Sequence, residues 1–171
     1  MKSLFLSMLC VLLLPQCTVF DNQLSLPLMP YNGEQLRMDG YYYQVGYDEN
    51  TVFSPCFFYK NGILISLGGI ENSLEELDEA LKTSYYNTHS YKKDVLAWGI
   101  FFIEDSVIKF ERWGSTVLQS PLIREGVILN DTTFHITNIY NNDGSEQRKV
   151  NEIYHFREFS PKPDSTNVFI K

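Results

Sequence analysis

The chain has 171 residues, enough for one domain with its own hydrophobic core and too few for two. A net charge of −7 at pH 7, without any cluster of lysines and arginines, excludes the basic face that a nucleic-acid partner requires. Aromatic residues make up 15% of the chain, with 11 Tyr and 12 Phe, and that composition leans towards pleated, half-buried strands.

The first segment is Met1-Lys2-Ser3 followed by an apolar run over residues 4–14. These are the charged and hydrophobic regions of an export signal, and the run is too short to cross a bilayer as a permanent helix. It stops at Pro15-Gln16-Cys17. Leu14, three residues before Cys17, resembles the start of the lipobox of bacterial lipoproteins, with Gln16 where a small residue is usual. The resemblance implies a signal peptide over residues 1–16, a diacylglycerol carrying palmitate-type chains on the Cys17 sulfur, and an acylated amine. Two or three such chains suffice for stable anchoring, so the expected partner is a membrane and the expected location the cell envelope, facing the periplasm or at the outer membrane. Residues 17–33, with Pro27 and Pro30 and no sustained period, read as a tether. With Cys10 in the leader and Cys17 at the anchor, Cys56 is alone in the mature chain and reads as a small buried hydrophobe.

Residues 34–159 read as the folded domain. The stretch 36–47 is aromatic-rich and contains Gly40, which marks a bulge or sharp bend. Asp48-Glu49-Asn50 turns the chain. Residues 52–60 and 63–67 flank Asn61-Gly62, a two-residue hairpin signal that pairs Lys60 with Ile63, Phe58 with Ile65 and Cys56 with Leu67. Pro55 places an edge or a bulge at the far end of that ribbon. Over residues 73–86 the period changes: Ser73 and Glu76 form a capping box, and Leu74, Leu77, Leu81 and Tyr85 share one helical face. This helix needs an apolar surface, either the face with Trp98, Ile100 and Phe102 or one open end of a barrel. Its acidic residues, Glu75, Glu76, Asp78 and Glu79, read as a solvated face.

Asp105-Ser106 then joins residues 98–104 to 107–113, with Phe101 opposite Phe110 and Ile103 opposite Ile108 on the core side. Trp98 falls opposite Trp113, and Ile100 opposite Glu111, on the other side. Residues 122–129 and 132–140 flank Asn130-Asp131, which places Leu129 opposite Thr132. Asn142-Asp143-Gly144 is a three-residue loop that leads into residues 146–159 and sets Ile136 opposite Val150 and Thr132 opposite Tyr154. That register leaves His155 opposite Asp131. Residues 160–171 form a tail whose stretch 168–170 can add a short strand. The expected fold is mainly β: an antiparallel up-and-down meander of about eight strands, closed into a barrel, with one inserted helix.

The runs Leu36-Arg37-Met38-Asp39-Gly40-Tyr41-Tyr42, Phe57-Phe58-Tyr59-Lys60-Asn61-Gly62, Trp98-Gly99 ahead of Ile108, and Gly126-Val127-Ile128-Leu129 are similar to those of a group of small uncharacterised Bacteroidota lipoproteins. The resemblance implies a lipocalin-like, eight-stranded barrel.

Chemistry is sparse. His89, His135 and His155 are scattered, and no serine-nucleophile motif or phosphate-binding glycine loop occurs. The chain is expected not to be an enzyme and to need no cofactor or metal. Two readings of function remain. In the first, the barrel takes a small apolar or carbohydrate-like ligand against Trp98, Trp113, Tyr42, Phe58, Phe101 and Phe110. In the second, the barrel is filled by its own side chains and an outer surface meets an envelope protein.

Overall fold

Among the described residues, apolar residues alternating between turn signals form nine strands: β1 (Gly40–Val45), β2 (Val52–Phe58), β3 (Ile63–Ser66), β4 (Ile70–Glu71), β5 (Trp98–Glu104), β6 (Val107–Arg112), β7 (Leu122–Asn130), β8 (Thr133–Asn141) and β9 (Arg148–Glu158). The structure is a computed structural model that describes residues 23–45, 51–68, 70–85, 90–114 and 120–171. The leader, Cys17, the 48–50 turn, Tyr86 and His89 lie outside the described residues. Each strand pairs antiparallel with the next, β3 passes to β5, and β9 returns to β1. Eight strands thus close into the expected up-and-down barrel, and β4 is an appendage on β2. Closure leaves no long sheet edge exposed.

The central hairpin sets the pattern. Asp105 adopts a left-handed backbone, and β5 and β6 meet in the expected register, Phe101 against Phe110 and Ile103 against Ile108. Inside, Phe58 sits in a nest of rings: its centroid is 5.6 Å from Tyr42, 5.0 Å from Phe101, 5.9 Å from Phe110 and 5.8 Å from Phe134. Tilted and edge-on pairs of this kind add to the burial of apolar area. Residues 31–37 seal the end of the barrel below these rings. Tyr31 and Leu36 are buried there, Arg37 N–H donates to the Asp131 carbonyl at 2.9 Å, and the Tyr42 hydroxyl donates to the same oxygen at 2.8 Å.

A second core lies outside the barrel wall. Tyr41, Phe57, Ile65, Trp98 and Ile100 project outwards and are covered by Leu77, Leu81, Tyr91 and Phe159. The helix therefore takes the first of its two expected seats. It is shorter than the sequence pattern implies: α1 (Leu74–Ala80) passes into a wider π turn over Leu81–Tyr85. Ser73 Oγ accepts Glu76 N–H at 3.1 Å, as a cap should. The Glu76 carboxylate reaches past Ser73 to the Asn72 N–H at 3.2 Å, so the reciprocal arm of the expected box is displaced by one residue.

Three registers differ from expectation. Phe58 pairs with Leu64 and Cys56 with Ser66, one residue off, because the loop has a left-handed Gly62 and closes Tyr59 on Ile63. Asn130 uses its side chain to hold Thr132 N–H at 2.9 Å, which moves the turn to Asp131-Thr132, and Asn130 pairs with Thr133. The Asn142–Gly144 loop forms as expected, with Asn141 N–H donating to the Ser145 carbonyl at 2.9 Å. A left-handed Glu146 and an irregularity between Ile136 and Asn138 then shift β8 on β9 by two residues, so Ile136 faces Glu152 and His155 faces Thr133. The bulge expected near Pro55 is present between β1 and β2, at Tyr42/Gln44.

The two flanking segments are laid on the barrel. In the stretch read as tether, Leu24 and Leu26 pack on the outer core, and the buried Glu111 carboxylate accepts the N–H groups of Ser25 and Leu26 at 2.7 Å each. This strap runs from Gln23, beside Asn142, down to Tyr31, whose N–H donates to the Lys60 carbonyl at 2.8 Å. Residues 168–170 do not form a strand; Phe169 and Ile170 pack on the outer core through their side chains.

Candidate functional site

The barrel is sealed at one end by Tyr31 and Leu36, and its opposite end is polar. Arg112 closes β6 there, opposite Gly99 and Leu122, and shares strand parity with the buried Ile108 and Phe110. By the same pairing Arg124 lies across from Phe110, Glu152 across from Ile136 and Tyr154 across from Phe134, so all three belong to the inner wall. Arg124 Nε stands 3.4 Å from Glu152 Oε2, and the Tyr154 hydroxyl donates to the same oxygen at 3.5 Å. The Arg124 guanidinium also lies 5.9 Å from the Phe110 ring centroid, where the aromatic filling ends.

Arg112 is treated differently. Its Nε is sealed from solvent with no hydrogen-bond partner. Burial, with some help from Arg124, pushes its pKa down, against the pull of Cys56, Tyr154 and Glu152. The Cys56 thiol is buried beside it and is pushed up, chiefly by desolvation, which makes it a poor nucleophile. Arg112 lines a cavity of about 270 Å³ together with Ser66, Gly68, Ser90, Tyr91 and Asp94, and with apolar surface from Leu67, Leu96 and Ala97.

Local sequence builds that cavity's outer wall. Two short turns, Ser90–Lys93 and Val95–Ala97, follow one another, and Asp94 between them accepts Leu96 N–H at 2.9 Å as a cap. Trp98 fixes the first turn from beneath: its indole N–H donates to the Tyr91 carbonyl at 2.9 Å, with the rings 5.9 Å apart.

The six aromatic residues read as ligand contacts are not brought together. Tyr42, Phe58, Phe101 and Phe110 fill the barrel interior, each 1% exposed, and touch one another. Trp98 is wholly buried outside the wall. Trp113 is half-buried and lines a different hollow of about 470 Å³, between the strap and the tail, with Leu26, Ile100, Phe169 and Ile170. The hairpin keeps the register that sets Trp98 opposite Trp113, but its ladder ends one pair earlier at Gly99–Arg112, while on its other side Trp98 pairs with Ile65 of β3. Among the described residues no three His, Cys, Asp or Glu side chains are grouped to hold a metal. His135 and His155 both lie on outward positions of β8 and β9.

Arg112, Arg124 and Glu152 stand in no motif that residue type alone announces. Their signal was positional. In the central hairpin Arg112 falls on the same face as Phe110 and Ile108, a charge where the pattern demands an apolar residue. No protein-family model, no curated protein and no solved structure matches the chain, so the site rests on its own geometry.

Proposed function

We propose that the chain is an exported, lipid-anchored barrel of the cell envelope that binds a small molecule at the open end of the barrel. The observation that carries this reading is the division of the interior. Rings fill it from Tyr31 up to Phe110, the wall beyond them carries Arg124, Glu152 and Tyr154, and Arg112 on the same wall borders a cavity of about 270 Å³ whose other sides are the end of β3 and the two short turns. A hollow lined by apolar surface and a few convergent polar groups is the usual form of a small-ligand site. The export reading rests on the charged start, the apolar run and Cys17. Gln23 lies beside Asn142 at the polar end, so a lipid on Cys17 holds that end within a maximum chain reach of about 20 Å of the membrane.

The second reading, a filled barrel that meets an envelope protein, draws on the Trp113 hollow between strap and tail, with apolar Leu26, Ile100, Phe169 and Ile170 around it. Native mass spectrometry of the full chain released from envelopes separates the two. A mass increment for a diacylated or triacylated Cys17, plus a retained small molecule lost on activation, supports ligand binding. A bare acylated chain that co-purifies with a stoichiometric protein supports the second reading, and a mature start beyond Cys17 removes the anchor from both.

A further inference from the structure

Among the described residues, the polar end of the barrel carries more positive charge than it pairs with carboxylates. Glu152, the carboxylate on the inner wall, is committed to Arg124 at 3.4 Å and to the Tyr154 hydroxyl. Among the described residues no carboxylate comes within ion-pair distance of Arg112, and Arg112 Nε is buried without an acceptor. Asp94 borders the same cavity, but it is exposed on the rim and its Oδ1 caps Leu96. Buried charges are ordinarily paired, because an unpaired one keeps its full desolvation penalty. A chain of net charge −7 that nevertheless places against a hollow a guanidinium whose Nε is unpartnered, with no carboxylate paired to it among the described residues, leaves room for an anion there.

Resting on the reading of the open end as a ligand site, we infer that the ligand is a small organic oxyanion, a carboxylate or a phosphate ester, whose negative head pairs with Arg112. Its apolar body lies against Leu67, Leu96 and Tyr91. The planar, multi-donor guanidinium is suited to both headgroups, and charge-assisted hydrogen bonds to it are stronger than neutral ones.

The test titrates the full chain in detergent with benzoate, phenyl phosphate and benzamide, the last being the neutral counterpart of benzoate. At least one anion is expected to bind about tenfold or more tightly than benzamide, and the better of the two identifies the headgroup. Arg112→Met is expected to abolish that preference and to keep or raise the melting temperature, since an unpaired charge is removed; Asp94→Asn keeps the preference. Should Arg112→Met fail to fold, the difference between the better anion and benzamide in the natural chain decides alone. Benzamide binding as tightly as both anions, or anion binding that survives Arg112→Met, overturns the oxyanion inference and leaves the ligand site standing. Absence of binding by all three, with a bare chain in native mass spectrometry, removes the ligand site and the inference together.

Discussion

Arg157 on β9 and Asp78 on α1 are locked together, Nε and a terminal nitrogen of the guanidinium meeting Oδ2 at 3.0 and 2.7 Å. The other carboxylate oxygen accepts the Tyr41 hydroxyl at 2.8 Å, so one side chain ties the helix to two neighbouring strands. The pair is mostly shielded, at 28% and 20% side-chain exposure, and so lies between the weak surface bridge and the costly buried one. A double-mutant cycle of Asp78→Asn and Arg157→Met is expected to give a coupling of about 1 kcal/mol. A coupling near zero leaves the helix attached by the packing of Leu77 and Leu81 and by the Tyr41–Asp78 hydrogen bond, not by the ion pair.

Phe58→Ala is expected to cost about 4 kcal/mol of stability, since it empties the centre of the ring nest and the neighbours cannot all collapse into the space. Chemical denaturation measures it. A loss below about 1 kcal/mol shows that the interior is loose enough to admit a ligand among the rings, contrary to the filling described above.

Glu111→Ala leaves the Ser25 and Leu26 N–H groups without their acceptor. These donors are part-buried, so stranding them costs less than the about 1–3 kcal/mol of a fully buried group, and the strap should loosen while the barrel stays closed. Hydrogen exchange reads this directly: amides 25 and 26 lose protection and those of β5–β8 keep theirs. Equal loss across the barrel shows that the strap is part of the cooperative core.

Lys162 gives a pH signature. Its amine donates to the Met38 and Phe58 carbonyls at 2.6 and 2.7 Å and stands 4.1 Å from the Tyr59 ring centroid, yet burial lowers its pKa from 10.5 to about 8. Between these two values the unfolded chain holds a proton that the folded chain has released, so stability rises with pH across that window. Relative to Lys162→Met, the natural chain is expected to gain stability from pH 8 to 10.5 and to show no trend below 8. A flat profile over that window, with stability falling only above pH 10.5, means that the two carbonyls hold the charged amine more strongly than burial opposes it.

The sequence is most legible where one face is apolar and the other is not. In the central hairpin that contrast and the Asp105-Ser106 turn specify each pair from Glu104–Val107 to Gly99–Arg112. Between β2 and β3 the contrast vanishes, because Phe58 and Leu64 fill the barrel while Phe57 and Ile65 are buried outside it. Alternation then cannot choose a register, and the left-handed Gly62 decides. The slip of β8 on β9 depends on bulges that no residue type announces. The strap looked like a tether because its apolar residues follow no period; they dock one at a time on the outer wall, and Glu111 supplies the hydrogen bonds. At the candidate site the rings of Tyr42, Phe58, Phe101 and Phe110 were readable as core but not as contact surface, because composition does not tell a filled barrel from a hollow one. Arg112 was readable only by position.

The most direct test of ligand binding at the open end is an amide-shift map of the full chain in detergent, titrated with a small-molecule extract of the cells that make it. The account predicts shifts confined to Ser66, Gly68, Ser90, Tyr91 and Arg112, with Phe58, Phe101 and Phe110 unmoved. Shifts centred on Trp113, Leu26 and Phe169, or spread through the interior rings, contradict it.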